Sequence, residues 1–285
     1  MGEKLAVVTG ASSGFGLLTS IELAKKDFTV IATMRNTTKD TDLMNLAKES
    51  DVASRIIVHE LDITNDLSIR RLQESVMKKG TINVLVNNAG YAGAGFTEEI
   101  TLNEYKQQFE TNFFGAVAVT KSFLPLMRKQ GYGKIINISS ISGEIGFPGL
   151  SPYVASKHAL EGWSESLRLE MKPYGVDIIL IEPGSYKTNI WSTGKQVAEA
   201  SLKIDSPYQS YMKRIESYIQ SGESRYGDPL EVANKIAEIS LSSRPKFRYP
   251  LGKGVRGGIL VKNLLPWNTW ERFVLKKLFS KNKMD

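Results

Sequence analysis

The sequence predicts an α/β fold: a doubly wound, mostly parallel sheet of about seven strands, covered by helices and followed by a C-terminal helical extension. Three observations carry that prediction. Short β-rich runs alternate with longer helical segments from the first residues to about residue 183, the rhythm of strand–helix–strand units. The runs are almost continuously apolar, as strands buried on both faces are. A glycine-rich turn, TGASSGFG (9–16), joins the first strand to the first helix, where such sheets bind phosphate.

The elements follow in order. LAVVT (5–9) reads as a strand, with a helix from about 15 to 26. FTVIAT (28–33) is the second strand, followed by a polar helix around 40–49. RIIVHEL (55–61) is the third, with a helix from about 65 to 79. INVLV (82–86) is the fourth, and a long helical region runs from 102 to 129. KIINIS (134–139) and VDIILIE (176–182) flank a helix at about 152–171. Beyond Pro183 come a loop, helices at about 207–221 and 229–242, FRYPL as a last strand, and a basic tail.

Composition narrows the classes of function. The 285 residues are 41% hydrophobic and 24% charged, an ordinary globular balance. The absence of cysteine excludes a disulfide framework, a thiol nucleophile and cysteine-ligated metal. MGEKLAVVTGASS lacks the pattern of a signal peptide, and no apolar run has the length of a bilayer span. A cytoplasmic location is expected. The net charge of +7 is uneven: from Arg244 onward 11 basic residues face 2 acidic ones, and the remainder carries −2. Nucleic-acid binding ranks last among the functions considered, because the surplus is confined to the tail and no nucleic-acid motif accompanies it.

In the turn, Gly10 lets the chain leave the strand sharply, while Gly14 and Gly16 let backbone and helix approach a pyrophosphate. The spacing is G-x-x-x-G-x-G, and NNAG stands at 87–90. This combination resembles the short-chain dehydrogenase/reductase family over roughly residues 4–250. The resemblance implies a Rossmann-like fold and a nicotinamide dinucleotide held by Gly10, Ser12, Ser13, Gly14, Phe15 and Gly16. It also implies Asp62 and Ile63 at the adenine end, Asn87, Asn88, Ala89 and Gly90 along the floor, and Pro183, Gly184 and Thr188 of PGxxxT beside the nicotinamide. The resulting division is a dinucleotide-binding and catalytic domain (1–250), with a substrate loop at about 185–226, and a basic amphipathic extension (251–285).

The second strand ends in Thr33-Met34-Arg35-Asn36, with no acid before Asp40. An NAD site places Asp or Glu there for the ribose 2′-hydroxyl. Arg35 suits a 2′-phosphate instead, so NADP(H) is the expected cofactor.

Two Tyr–Lys pairs share one spacing, YVASK (153–157) and YPLGK (249–253). Residues four apart on a helix share a face, and only the first pair lies in a helical pattern. Pro250 and Gly252 oppose a helix in the second. A neighbouring ammonium is expected to lower the Tyr153 pKa, which suits a general acid or base. The family resemblance adds Ser140, thirteen residues before Tyr153, and Asn112 in NFFG as a support for proton relay. It implies hydride exchange between NADP(H) and a carbonyl or alcohol. Tyr153 would move the proton, Ser140 would hold the substrate oxygen, and Lys157 would tune Tyr153 and hold the ribose. A protein that senses NADP(H) without turnover is the alternative. His59 and His158 carry no ligand spacing, and no metal is expected.

Trp191, Tyr208, Tyr211, Met212 and Tyr218 in the substrate loop suit a bulky apolar substrate. Packing on the domain would explain them equally well. GEIGFPGL, ahead of Tyr153, is expected to form another wall. The tail segment LLPWNTWERFVLKKL is similar to the C-terminal segment of the branch containing 17-beta-hydroxysteroid and retinol dehydrogenases. Trp270, Phe273, Val274 and Leu278 would form one apolar face, flanked by Arg272, Lys276 and Lys277. Three destinations are open to it: its own domain, a second subunit, or an anionic membrane surface. The first two are favoured, since apolar helix faces usually pack on protein. The resemblance also implies a homodimer or homotetramer paired through the helices at 102–129 and 152–171.

Overall fold

A computed structural model describes residues 4–191, 194–220, 222, 224 and 226–279. Seven parallel strands form the main sheet: β1 (Lys4–Val8), β2 (Phe28–Met34), β3 (Ile56–Glu60), β4 (Val84–Asn87), β6 (Gly133–Ile138), β7 (Val176–Pro183) and β9 (Arg248–Leu251). Two short parallel strands, β5 (Ala92–Ala94) and β8 (Lys195–Val197), make a separate ribbon. The main order is β3-β2-β1-β4-β6-β7-β9. The winding reverses between β1 and β4, the switch point where such sheets bind ligands at the carboxyl ends of their strands.

Because strand side chains alternate between faces, each apolar run feeds two cores. Ala6 and Val8 of β1 join one cluster with Ile21, Leu43, Val232 and Ile236. These come from α1 (Gly14–Ala24), α2 (Thr41–Glu49) and α8 (Pro229–Leu241). Leu5 and Val7 face the other way, toward Leu72, Phe123, Leu167 and Met171. Those lie on α3 (Asp66–Met77), α5 (Ala116–Gln130) and α6 (Ser151–Met171). Burial on both faces is thus the reason the runs are continuously apolar.

Two expectations are corrected in detail. The fourth strand starts at Val84 rather than residue 82. Ile82 instead exchanges both backbone hydrogen bonds with the side chain of Gln130, at 2.9 and 3.0 Å. The expected single helix at 102–129 is interrupted: α4 (Leu102–Phe109) passes through a π-turn, Glu110–Gly115, before α5 begins. A Cβ at Gly115 would lie 2.7 Å from Ile63 Cδ1, so only glycine lets the wide turn sit that close.

Past β7 the chain builds α7 (Gln209–Gln220), α8 and β9, then α9 (Val255–Leu264) and α10 (Trp267–Phe279). Among the described residues no helix is long and apolar enough to cross a membrane. Of the tail's three expected destinations, docking on its own chain is observed. Trp270 is buried and Val274 and Leu278 are half-buried, while Phe273 stays exposed. The Phe279 ring lies 5.0 Å from that of Tyr211 on α7, and the Arg214 guanidinium sits over it at 5.5 Å.

Candidate active site

The glycine turn leaves β1 through Gly10, whose φ of +68° is a left-handed conformation that glycine adopts at little cost. A Cβ at Gly16 would stand 2.3 Å from the Gly10 carbonyl oxygen, so that glycine is required by the fold itself. Gly14 differs. Its φ is +56°, and a Cβ there would meet nothing closer than 3.8 Å, at Thr188. The space beside Gly14 faces the cleft rather than packed protein. Helix α1 starts at this point with no side-chain cap from Ser13. Its first N–H groups are therefore free to bind an anion.

NNAG clamps this turn from β4. Thr9 Oγ1 accepts from the backbone N–H groups of Asn88 (2.9 Å) and Ala89 (3.0 Å). Asn88 Nδ2 donates to the carbonyls of Thr9 (2.8 Å) and Gly10 (3.0 Å). Asn87 departs from expectation. It does not border the cleft but turns inward, donating at 2.8 Å to both Thr120 Oγ1 and Asn137 Oδ1. Alternation along β4 puts Asn87 and Asn88 on opposite sides, so only one of the pair can face the cleft.

Arg35, Asp62 and Ile63 follow the carboxyl ends of β2 and β3, on the edge of the sheet where the turn lies. Arg35 is exposed and makes no ion pair with any described residue. Asp62 Oδ1 accepts from Thr64 N and Thr64 Oγ1, at 2.9 and 2.7 Å, which fixes its carboxylate in a local turn. Ile63 is buried under the π-turn. These features fit a dinucleotide: an uncapped helix start and open space at Gly14.

The other expected residues converge on a cleft at the ends of β4, β6 and β7. Ser140, Tyr153, Lys157 and Asn112 all border it, together with Phe15, Asn88, Gly90, Pro183, Gly184 and Thr188. Tyr153 and Lys157 lie on one face of α6, and both are buried. The second Tyr–Lys pair does not reach this cleft. Tyr249 sits in β9 and accepts from the backbone N–H of Lys246 at 2.9 Å, and Lys253 lies past the strand. The π-turn aims Asn112 inward. Its Oδ1 accepts from Tyr91 N at 3.1 Å and its Nδ2 donates to Tyr91 O at 2.9 Å. Tyr91, Tyr186 and Ile190 also border the cleft and were not foreseen. The adjacency of Tyr91 to NNAG and of Tyr186 to Pro183-Gly184 was a signal for two of them. The Trp191 and Tyr218 side chains lie outside the described residues.

Electrostatics correct one expectation. Burial pushes the Tyr153 hydroxyl up to about 12, and a hydrogen bond with Ser140 pulls the other way. Lys157 was expected to lower it. Burial brings Lys157 itself down to about 8, against the opposing charge of Glu161. In this cleft desolvation is the largest cause of both shifts. Lys157 Nζ donates to the Ile138 carbonyl at 2.7 Å.

Two residues of the expected aromatic stripe pack on Phe96 and do not border the cleft. Phe96 packs on Tyr208, centroids 4.4 Å apart, and on Tyr211 at 5.1 Å. Tyr208 Oη donates to Glu98 at 2.5 Å. These side chains pack on the domain, the second of the two readings of that stripe.

A further cluster behind the cleft escaped the sequence reading. Arg248 on β9 pairs with Glu144 (2.6 Å), Glu182 (3.0 Å), Glu165 (3.4 Å) and Glu161. Glu161 and Glu182 are buried. Glu182 precedes Pro183 at the end of β7, Glu144 follows the Ser140 turn, and Glu161 is one helical turn past Lys157. One guanidinium thus ties together the three elements that carry Ser140, Tyr153 with Lys157, and Pro183.

A doubly wound sheet with this turn, clamp and cleft defines a dinucleotide-dependent oxidoreductase. The family model for short chain dehydrogenase matches residues 4–198. The chain is 50% identical to "Uncharacterized oxidoreductase YusZ" of Bacillus subtilis, over 98% of this chain and all of that protein. It is 34% identical to a 3-ketodihydrosphingosine reductase of Bacteroides thetaiotaomicron, over 88% of this chain and 89% of that one. A solved short-chain dehydrogenase from Streptomyces avermitilis superposes with a TM-score of 0.79 at 32% identity, covering 95% of this chain and 99% of that one. The chain belongs to the short-chain dehydrogenase/reductase family, and it is an oxidoreductase.

Proposed function

We propose that the protein is an NADP(H)-dependent reductase of ketones on bulky, lipid-like molecules, with Tyr153 as the proton donor. The observation that carries this reading is the convergence of Ser140, Tyr153, Lys157 and Asn112 on one cleft, beside a helix start that suits a phosphate. The nicotinamide, when bound, supplies the hydride to a carbonyl carbon. The other tasks belong to the chain. Ser140 and Tyr153 hold the substrate oxygen between two hydroxyls and stabilise its developing charge. Tyr153 then delivers its proton to that oxygen. Asn112 supports the Tyr91 backbone at the mouth of the cleft. Arg35 meets a 2′-phosphate at the far end. The apolar ketone class is suggested by the 3-ketodihydrosphingosine reductase relative. A sensor without turnover would have no need of this buried Ser–Tyr–Lys set.

We further read the aromatic cluster of half-buried Phe109, Phe113 and Trp163 with exposed Phe114 as the surface through which copies of the chain pair. It spans α4, the π-turn and α6, with rings 5.0 to 6.3 Å apart.

The test is loss of reduced-nicotinamide absorbance with a panel of ketones and aldehydes, including long-chain 3-ketones, with NADPH and NADH in parallel. Turnover with NADPH, weak turnover with NADH, and none in Tyr153→Phe is the expected result. NADPH binding without turnover on any ketone would overturn it in favour of the sensor.

A further inference from the structure

We propose that the outer face of α9 and α10 docks the protein on an anionic lipid surface. Seven of the nineteen exposed large apolar side chains of the described residues fall between Leu260 and Phe279. Leu264 is 73% exposed and Trp267 67%. They stand on either side of the break at Leu265-Pro266, where one helix ends and the next begins. The buried face of α10 does not account for them, since Trp270 meets the domain and Trp267 does not. Residues 253–279 carry Lys253, Arg256, Lys262, Arg272, Lys276 and Lys277 against a single acid, Glu271, a net charge of +5. A short amphipathic pair rich in Lys, Arg, Trp and Leu is the composition that lies in a bilayer interface plane. A Trp at its centre suits the headgroup level, where one edge of the indole is apolar and the other wet.

Charge decides between this occupant and a second copy. A two-fold contact sets the same patch against itself, which here would press +5 against +5. The rest of the chain, before Arg244, carries only −2 and offers no strongly acidic counterpart. An anionic bilayer offers both apolar depth and negative charge, worth about 1 kcal/mol for each basic residue near the surface. Because α10 leans on α7 through Phe279 and Tyr211, the docked tail would hold the substrate loop toward the bilayer. The docking itself does not rest on the reaction proposed above.

Co-sedimentation of the full chain with phosphatidylglycerol–phosphatidylcholine vesicles, against pure phosphatidylcholine vesicles, tests the proposal. Binding to the anionic vesicles that weakens with salt is expected. Lys276→Gln with Lys277→Gln should lower partitioning about thirty-fold, from two such charges. Leu264→Ser with Trp267→Ser should abolish binding with the Tm unchanged, because both side chains are solvent-exposed. Failure of the native chain to sediment with anionic vesicles would overturn the proposal. So would a dimer in solution that the Leu264→Ser, Trp267→Ser pair dissociates, because the face would then be covered by a second copy.

Discussion

Lys157 Nζ stands 5.7 Å from the centre of the Tyr153 ring and donates its hydrogen bond to the Ile138 carbonyl rather than to the phenol. Lys157 therefore acts on Tyr153 through charge. The sign of that action sets the pH dependence. Tyr153, pushed up to about 12, holds its proton at neutral pH and is ready to give it away. Carbonyl reduction should be flat through neutral pH. Alcohol oxidation needs the phenolate and should rise with pH. Above about 8 Lys157 loses its charge, and with it the attraction that favours the phenolate. Lys157→Met should therefore slow oxidation below about pH 8, where the parent's ammonium is still charged, and the two proteins should converge above it. Initial rates in both directions across pH check this, and an oxidation rate indifferent to pH would refute it.

Replacing Tyr153 with Phe removes the proposed proton donor and keeps the ring. The rate of reduction should fall by about a thousand-fold, within the usual range for general acids, while the Kd for NADPH changes little. Stopped-flow turnover with parallel fluorescence titration separates the two effects.

Gly14 and Gly16 predict opposite failures. Gly16→Ala drives a methyl to within 2.3 Å of the Gly10 carbonyl, and the fold should lose several kcal/mol, roughly the cost of overpacking. Gly14→Ala has room within the protein and costs only about 1 kcal/mol for its left-handed backbone. It should fold and bind NADPH poorly, because the methyl enters the space beside the uncapped helix start. Thermal melting and NADPH titration of the two variants distinguish these outcomes.

Arg35 has no carboxylate partner among the described residues, so its removal breaks nothing in the fold. A hydrogen bond to a charged group contributes about 1.5–3 kcal/mol. Arg35→Ala should weaken NADPH binding roughly ten- to a hundred-fold and leave NADH binding and Tm unchanged. Equal losses for both cofactors would remove Arg35 from the 2′-phosphate.

Most of the cleft could be read from the sequence because its parts lie on short motifs at the ends of strands. TGxxxGxG, NNAG and YVASK each place their residues by local geometry alone. Three features could not be read that way. The apolar pattern of 102–129 fits an α-helix and a π-turn equally well, so the redirection of Asn112 was hidden. The Tyr153 pKa depends on how deeply α6 is buried, which residue spacing does not state. The Arg248 cluster joins positions up to 104 residues apart. Its signal was present nonetheless. Glu182 stands one residue from the end of a largely apolar strand, and Glu161 falls on the face of α6 that bears Tyr153 and Lys157. Charges at positions expected to be buried require partners.

That cluster makes a prediction of its own. Burial and the neighbouring Glu161 raise Glu182 to about 7 from an ordinary 4.5, although Arg248 pulls it down. Glu161 is shifted upward as well, again by burial first. Between pH 4.5 and 7 the folded protein therefore holds more protons at Glu182 than the unfolded chain does. Stability from this source is complete below the lower value and is lost as the pH rises through the upper one. Glu182→Gln keeps the shape and removes the titration. The variant should melt with less dependence on pH over that window than the parent, and should gain on it at the alkaline end. Arg248→Met is the opposite case. It strands the buried Glu161 and Glu182 without a cation and should cost about 3–5 kcal/mol, as breaking a buried pair does. Its loss should be greatest at high pH, where both carboxyls would be ionised, and should shrink as acid neutralises them. Chemical denaturation at a series of pH values measures both variants. A loss in Arg248→Met that did not diminish on acidification would mean that the guanidinium holds these elements by packing rather than by charge.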